Sequence, residues 1–144
     1  VETIAAATDM LAEAKLTPEL RNEALYFRAK AYLNQQADKK AMNDLQALAK
    51  DTRTLYGAEA KYLVALQLYK AHEYAAAEKE ILNFIEQSTP HAYWLARSFI
   101  LLSDVYVSMD KKLDARQYLL SLQQNYHADD DIEQMINERL EKLK

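Results

Sequence analysis

The chain of 144 residues contains no cysteine, one glycine and two prolines. The absence of cysteine excludes disulfides, thiol nucleophiles and thiolate metal sites, and it is compatible with either an oxidising or a reducing compartment. Glycine and proline form most tight turns and phosphate-binding loops, so their scarcity argues against β-rich folds and Gly-rich nucleotide sites. The good helix formers Ala, Leu, Lys, Glu and Gln are abundant instead. The composition therefore predicts an all-α protein.

The chain has no excess of positive charge, since 18 basic residues face 22 acidic ones. A net charge of −4 argues against a broad nucleic-acid footprint. The clusters "KAYLNQQADKK" and "MDKKLDAR" are typical of a solvated helix rim, so we predict no nucleic-acid partner. Long apolar runs are also missing: "YWLARSFILLSDVYV" is interrupted by Arg97 and Asp104 and is shorter than the ~20 residues that span a bilayer. We therefore expect no direct insertion into a membrane.

The sequence begins at Val1, without a methionine, and shows no signal peptide. We therefore expect a fragment of a longer protein, whose targeting sequence lies elsewhere. The length suits one domain or a short array of repeats.

One spacing pattern recurs four times, and the step from one instance to the next lengthens by two positions each time. It consists of a small residue, a large residue four positions later and an apolar residue three positions after that. The four instances are Ala7, Leu11 and Ala14; Ala41, Leu45 and Leu48; Ala77, Ile81 and Phe84; and Ala115, Leu119 and Leu122.

A second set of small residues, Ala29, Ala65 and Ser103, lies twelve positions before the last three alanines of that pattern. Ala24, Ala60 and Ser98 precede them by five positions. The spacing of twelve is constant, so all of the lengthening falls in the connections between units. Rigid hairpins of two helices, here called A and B, with connections of variable length would give this pattern. A single hairpin cannot bury its own apolar face, so such hairpins stack.

Helix start signals divide the chain further. Thr17 and Pro18 predict a cap and a first helical residue, and Thr89 and Pro90 repeat the pair. The aspartates at 129–131 predict caps for a last helix from about Asp130 to Leu143. One face of this helix is apolar and the other is charged. We predict a B helix of an incomplete repeat at 1–16, repeats at 19–53, 55–88 and 90–127, and a C-terminal capping helix at 129–144.

These hairpins resemble the tetratricopeptide repeat (TPR), a helical hairpin of about 34 residues. The central unit "AEAKYLVALQLYKAHEYAAAEKEI" matches the family best, through Ala65, Leu68, Tyr74, Ala77 and Ile81. Other units depart from the family pattern. Asp38 and Lys112 stand where the central unit has the aromatic Tyr74, and Arg28 stands at a usually apolar position. No unit has the glycine that the family has in its turn.

The resemblance implies a right-handed α–α superhelix over residues 1 to about 126. The lengthened units and "STPHAYWLARSFILLSDVY" look more narrowly like the C-terminal part of large TPR proteins of bacterial cell envelopes. That likeness favours the periplasm or the envelope and leaves the cytoplasm open.

The resemblance also implies a scaffold that binds another protein or a peptide on the concave face of its A helices. The residues predicted to bind are Tyr26, Lys30, Tyr62, Leu66, Tyr69, Lys70, Arg97, Ile100 and Asp104. Alternatively, Tyr62 and Tyr69 pack against the next A helix. The array would then be a structural spacer or a self-association module that forms homo-oligomers. A regulatory segment of an enzyme whose catalytic domain lies elsewhere is a third possibility.

No pattern indicates catalysis. His72, His91 and His127 fall in turns or connections without metal-ligand spacing, so we predict no metal, no cofactor and no enzyme activity. The carboxylate clamp with which some TPR proteins bind chaperone tails would fall on Tyr26, Lys30, Leu63, Arg97 and Leu101. Only Arg97 has suitable chemistry, so we do not expect this chain to bind chaperone tails.

Overall fold

The computed structural model describes residues 2–13 and 15–144. Within those residues it contains eight α-helices and no strand, which confirms the all-α prediction. The helices are α1 (Glu2–Leu11), α2 (Pro18–Asn34), α3 (Asp38–Leu48), α4 (Leu55–Lys70), α5 (Tyr74–Glu86), α6 (Ala92–Ser108), α7 (Lys112–Asn125) and α8 (Ile132–Lys142). Val1 and Ala14 lie outside the described residues. Both belong to the predicted helix at 1–16, and Ala14 also belongs to the first instance of the repeat pattern.

Helices α2 to α7 alternate in the A, B order that the spacing predicts, and α8 follows within 129–144. The first helix is shorter than the predicted 1–16, because α1 ends at Leu11. Ala12 and Lys15 lie in turns between α1 and the cap that begins α2.

Of the three predicted helix starts, those of α2 and α8 have the expected side-chain acceptor, and that of α6 does not. The Thr17 hydroxyl accepts a hydrogen bond from the Leu20 amide at 3.2 Å, and Pro18 is the first residue of α2, as predicted. The prediction for Thr89 and Pro90 is wrong, since α6 begins only at Ala92.

Thr89 instead links the connection between α5 and α6 to the connection between α3 and α4. Its hydroxyl donates to the carbonyl oxygen of Thr52 at 2.6 Å and accepts from the amide of His91 at 3.2 Å. Before α8 an aspartate does accept from a backbone amide, since Asp130 Oδ1 lies 3.0 Å from the nitrogen of Ile132. The helix nevertheless starts two residues later than expected.

The small residues of the repeat pattern form the contact surface between helices. All nine small residues of the three complete units are buried, with at most 4% of each exposed: Ala24, Ala29, Ala41, Ala60, Ala65, Ala77, Ser98, Ser103 and Ala115. Their large partners Leu45, Ile81 and Leu119 are buried to the same degree. Small side chains let two helix backbones approach closely, and the large residue one turn away fills the remaining space. The constant spacing of twelve therefore separates the small residue of helix A from the small residue of helix B at which the two helices pack together.

The helices pack mainly on their neighbours in the chain. Helix α2 contacts α3, α4 contacts α5, and α6 contacts α7. Successive A helices also contact each other, as do α6 and α8, whereas among the described residues no B helix contacts the next B helix. Helix α8 therefore occupies the place that an A helix takes in the next unit. This arrangement fits a solenoid of stacked hairpins.

The unusual Arg28 has a partner on the B helix of its own hairpin. Its Nε and Nη2 atoms donate to the two carboxylate oxygens of Asp44 at 2.7 and 2.6 Å. Asp44 is buried, and the side chain of Arg28 is 20% exposed. A bidentate ion pair thus joins α2 to α3 at a position where the next two repeats have the apolar Val64 and Leu102 in place of the arginine.

The three A-to-B turns share one backbone geometry without glycine. Gln36, His72 and Asp110 have φ values of 59°, 62° and 59°. In each turn the next amide donates back to a carbonyl five residues earlier, at 2.8 to 2.9 Å, which is the Schellman arrangement. For an L-residue this left-handed conformation costs about 1–2 kcal/mol.

Glycine at these turns is expected to stabilise the fold. Changing Gln36 and Asp110 together to glycine should raise the free energy of unfolding by about 1–2 kcal/mol, because glycine adopts positive φ without that cost. Urea unfolding should show higher midpoints at an unchanged slope. The control changes Gln35 and Met109, which have φ of −92° and −91°. Glycine there should give no gain, and equal gains in both pairs would contradict the geometry.

Candidate partner-binding surface

The residues predicted to bind a partner lie on α2, α4 and α6, along the seam where successive A helices meet. We call this surface the A-helix face. It contains two clusters of aromatic and charged side chains and two cavities.

The first cluster joins α2 to α4. The Tyr26 hydroxyl lies 3.1 Å from both carboxylate oxygens of Glu59, and Lys30 Nζ donates to the same carboxylate at 3.1 Å. The ring of Tyr26 stacks on Tyr56 with centroids 4.3 Å apart. Glu59 is 8% exposed, so its charge is held by these two donors.

Burial, together with the negative charge and hydrogen bond of Glu59, raises the pKa of Tyr26 to about 12. Titration of this tyrosine reports whether the first cluster forms. Tyr126 also has a pKa raised to about 12, so we expect tyrosinate absorbance to show two such groups, one of which disappears in Tyr26→Phe. In Glu59→Gln, loss of the carboxylate charge should bring the pKa of Tyr26 down towards the ordinary value of about 10.

The same shift predicts a change of stability with pH. In the unfolded chain the tyrosine ionises near pH 10, whereas in the folded chain it stays protonated to a higher pH. The contribution of Tyr26 to the free energy of unfolding is therefore present below pH 10 and is lost as the pH rises towards 12. If the pKa of Tyr26 were unchanged in Glu59→Gln, the contact between Tyr26 and Glu59 would be contradicted.

The second cluster joins α4, α6 and the start of α8. Arg97 Nη2 donates to the Tyr62 hydroxyl at 3.2 Å, and Nη1 donates to the Tyr93 hydroxyl at 3.1 Å. Tyr93 in turn donates to Asp131 Oδ1 at 2.9 Å. The guanidinium carbon lies 5.1 Å from the ring centroid of Tyr62 and 6.0 Å from that of Trp94, within the range of cation–π attraction.

The two clusters are equivalent positions of successive repeats. Tyr62 is the counterpart of Tyr26 one repeat later, and Trp94 and Arg97 are the counterparts of Tyr56 and Glu59. In both seams a tyrosine of one A helix contacts an aromatic residue of the next helix. The same tyrosine is hydrogen-bonded to a charged residue three positions after that aromatic.

Two cavities lie further along the A helices. One has a volume of about 560 Å³ and is lined by Leu66 and Lys70 together with Leu33, Gln36, Asp38, Leu63 and Gln67. The other, of about 550 Å³, lies between α4, α6, α7 and α8. Tyr69 and Asp104 line it with Ser103, Val107, Ser108, Lys112, Leu119, Glu138, Arg139, Lys142 and Leu143.

In the second cavity Asp104 is not free to bind a ligand. Its two carboxylate oxygens accept hydrogen bonds from Arg139 Nε and Nη2 at 3.0 and 3.1 Å. This ion pair fastens α8 to α6.

The predicted residues differ in how far a partner could reach them. Ile100 is completely buried, so the prediction that it contacts a partner does not fit its place in the core, where it packs with the apolar residues of α7 and α8. Tyr62 is 6% exposed and packs against Trp94, the alternative given for it above. Tyr26, Leu66, Tyr69, Arg97 and Asp104 are partly exposed, as is Lys30, and Lys70 is exposed.

The sequence pattern did not single out several residues that complete these seams: Tyr56, Tyr93, Trp94, Asp131 and Arg139. The recurrence of an aromatic residue at Tyr56 and Trp94, one repeat apart, was the available signal for the aromatic stacks. Asp131 and Arg139 could not be read in this way, because they lie next to and on α8, a helix outside the three repeats.

Within residues 2–13 and 15–144, no group of three or more His, Asp or Glu side chains is placed to hold a metal ion. No helix in the same ranges is both long and apolar enough to cross a membrane. No protein-family model matches the chain, and no curated protein or solved structure matches it. Assignment to the TPR family therefore stays a prediction from the residue pattern.

Proposed function

We propose that the chain is a non-catalytic scaffold of TPR type that binds an extended peptide or a segment of another protein along its A-helix face. The observation that carries the proposal is the asymmetry of the packing. The A helices contact one another across units and, in the described part of the chain, the B helices do not. A stack held together on one side curves towards that side, which favours the A-helix face as the concave surface.

The chemistry of the 560 Å³ cavity suggests what it binds. The partly exposed Leu33 and Leu66 contribute apolar surface to its lining, and the exposed Lys70 contributes a positive charge. Among the described residues Lys70 has no ion-pair partner. This combination suits a large apolar side chain next to a carboxylate.

Selection of peptides from a random display library on the full chain tests this function. We expect recovered peptides to combine an apolar and an acidic residue, and to lose at least tenfold in affinity for Lys70→Glu and for Leu66→Asp. The matched control is Lys79→Glu, the same charge change at an exposed position of α5. Peptides that bind all variants equally would show that the A-helix face is not the binding surface.

The spacer alternative has an observation in its favour. Tyr26, Arg97 and Asp104 already bond to other residues of the chain. A spacer with no ligand would yield no selected peptide, while Arg97→Ala would still lower the stability by breaking the second cluster. Loss of stability without any peptide binding would favour the spacer.

A further inference from the structure

The 560 Å³ cavity, here called the first cavity, is lined by three side chains of the first hairpin whose counterparts in the second hairpin are all aromatic. The three are Leu33, Gln36 and Asp38, and their counterparts are Tyr69, His72 and Tyr74. In the second hairpin the ring centroid of Tyr74 lies 5.7 Å from those of both Tyr69 and His72. In the first hairpin an aspartate takes the place of that central ring, and it lines a cavity.

The third hairpin shows the same association of a missing ring with a cavity. Lys112 takes the place of Tyr74 there, and it lines the 550 Å³ cavity, here called the second cavity. Val107, the counterpart of Leu33, lines it as well. Both repeats without the aromatic residue thus have a cavity at the residue that replaces it. The central repeat therefore indicates which group fits this position, namely an aromatic ring.

The charges of the first cavity indicate which kind of ring it would bind. Asp38 and Lys70 both line the cavity, and neither has an ion-pair partner among the described residues. A carboxylate accepts hydrogen bonds, so it favours a ring that carries a donor, as in tyrosine or tryptophan. The Tyr26 hydroxyl, 3.1 Å from the carboxylate of Glu59, makes such a contact in the same protein. The ammonium group of Lys70 attracts a carboxylate next to that residue in the ligand.

The second cavity is a poorer site for such a ring, because it has Lys112 where the first cavity has Asp38. An ammonium group cannot accept a hydrogen bond from the donor of the ring. The carboxylate of Asp104 in the second cavity is already bonded to Arg139. We therefore assign the ring to the first cavity.

We propose that the first cavity binds the side chain of a tyrosine or tryptophan in an extended peptide. The ring takes the place that Tyr74 has in the second hairpin, and its donor group bonds to the carboxylate of Asp38. An acidic residue beside it in the peptide pairs with Lys70. This inference rests on the proposed function and names the residue that the peptide must present.

The chain itself supplies a variant that fills the cavity. Asp38→Tyr introduces in the first repeat the residue that the second repeat has at this position. Because the second repeat accommodates that ring, we expect the variant to fold with unchanged helicity by circular dichroism. The matched control is Lys112→Tyr, the same replacement at the equivalent position of the third repeat, which leaves the first cavity open.

Three phage-display libraries of random peptides are the probe for the full chain. They differ only in one fixed central residue, which is tyrosine, phenylalanine or leucine. We expect the best binders from the tyrosine library to be about tenfold tighter than those from the leucine library. Asp38→Tyr should weaken the tyrosine binders by about tenfold or more, since its own ring occupies the cavity. Lys112→Tyr should leave their affinity unchanged.

A further variant tests the hydrogen bond and does not depend on filling the cavity. Asp38→Ala leaves the cavity open and removes the acceptor. We expect tyrosine binders to lose affinity in this variant, while phenylalanine binders keep theirs. The preference for tyrosine over phenylalanine should therefore disappear.

The outcomes separate this inference from the proposed function. Tyrosine binders that Leu66→Asp weakens and Asp38→Tyr does not would overturn the inference and leave the A-helix face as the binding surface. Equal affinities from the tyrosine and leucine libraries would have the same meaning. The absence of binders from every library would overturn both proposals. A concentration-dependent dimer, seen by sedimentation, that Asp38→Tyr abolishes and Lys112→Tyr does not would make a second copy the occupant, which would also overturn the inference.

Discussion

Replacing Asp44 with leucine should lower the free energy of unfolding by about 2–4 kcal/mol, because it leaves Arg28 between α2 and α3 without its carboxylate. Asp44 is 3% exposed and accepts two short hydrogen bonds from that guanidinium. The remaining hydrogen bond, from Arg28 Nη1 to the Thr8 hydroxyl at 3.2 Å, does not neutralise the charge. Urea unfolding followed by circular dichroism would measure the loss.

The double variant Arg28→Leu with Asp44→Leu provides the control. It removes both charges and places apolar side chains at both positions; at the position of Arg28 the other repeats have Val64 and Leu102. We therefore expect it to recover most of the stability lost in Asp44→Leu, since an apolar pair of similar volume often equals a buried ion pair. If the double variant were less stable than the single one, this explanation of Arg28 would be wrong.

Replacing Gly57 with alanine should cost about 2–3 kcal/mol, because there is no room for a methyl group. Gly57 lies in the first turn of α4. A Cβ atom at this position would overlap the carbonyl oxygen of Asp51 and lie 2.7 Å from Thr54 Oγ1. That hydroxyl also caps the helix by accepting from the Gly57 amide at 2.9 Å, so the methyl group would displace the cap as well.

Alanine at Leu55 is the matched control for this change. Leu55 lies in the same helical turn and is 55% exposed, so its replacement should change the stability by less than about 0.5 kcal/mol. Thermal unfolding of the two variants side by side would distinguish them. Equal midpoints would show that the connection before α4 relaxes around the added methyl group.

The sequence predicted the spacing of the helices much better than the contacts of their polar side chains. Small residues twelve positions apart, such as Ala65 and Ala77, can be recognised because close helix approach admits few other side chains. The bidentate pair of Arg28 and Asp44 has no such signature, since many positions on α3 are compatible with an arginine on α2. Periodicity reveals which face is buried and does not reveal which charges meet there.

On the A-helix face, too, the sequence predicted the repeat position of a residue better than its contacts. Tyr26 and Lys30 were found because a repeat position places them on the A-helix face, and they do lie in one cluster. Ile100 was placed there by the same rule, yet it is buried beneath α7 and α8. The counterpart of Ile100 in the second repeat, Tyr62, is also buried, so membership of this repeat position does not tell whether a side chain is accessible.

The packing of each helix on helices no more than two places away in the chain determines how the protein folds. Contacts that are local in sequence cost little loop-closure entropy, so folding should be fast and can begin in any hairpin. The middle of the array, around α4, is bordered on both sides, whereas α1 has a neighbour on one side only. Amide hydrogen exchange should therefore be slowest in α4 and faster towards both ends, as in a chain of coupled units that opens from its termini.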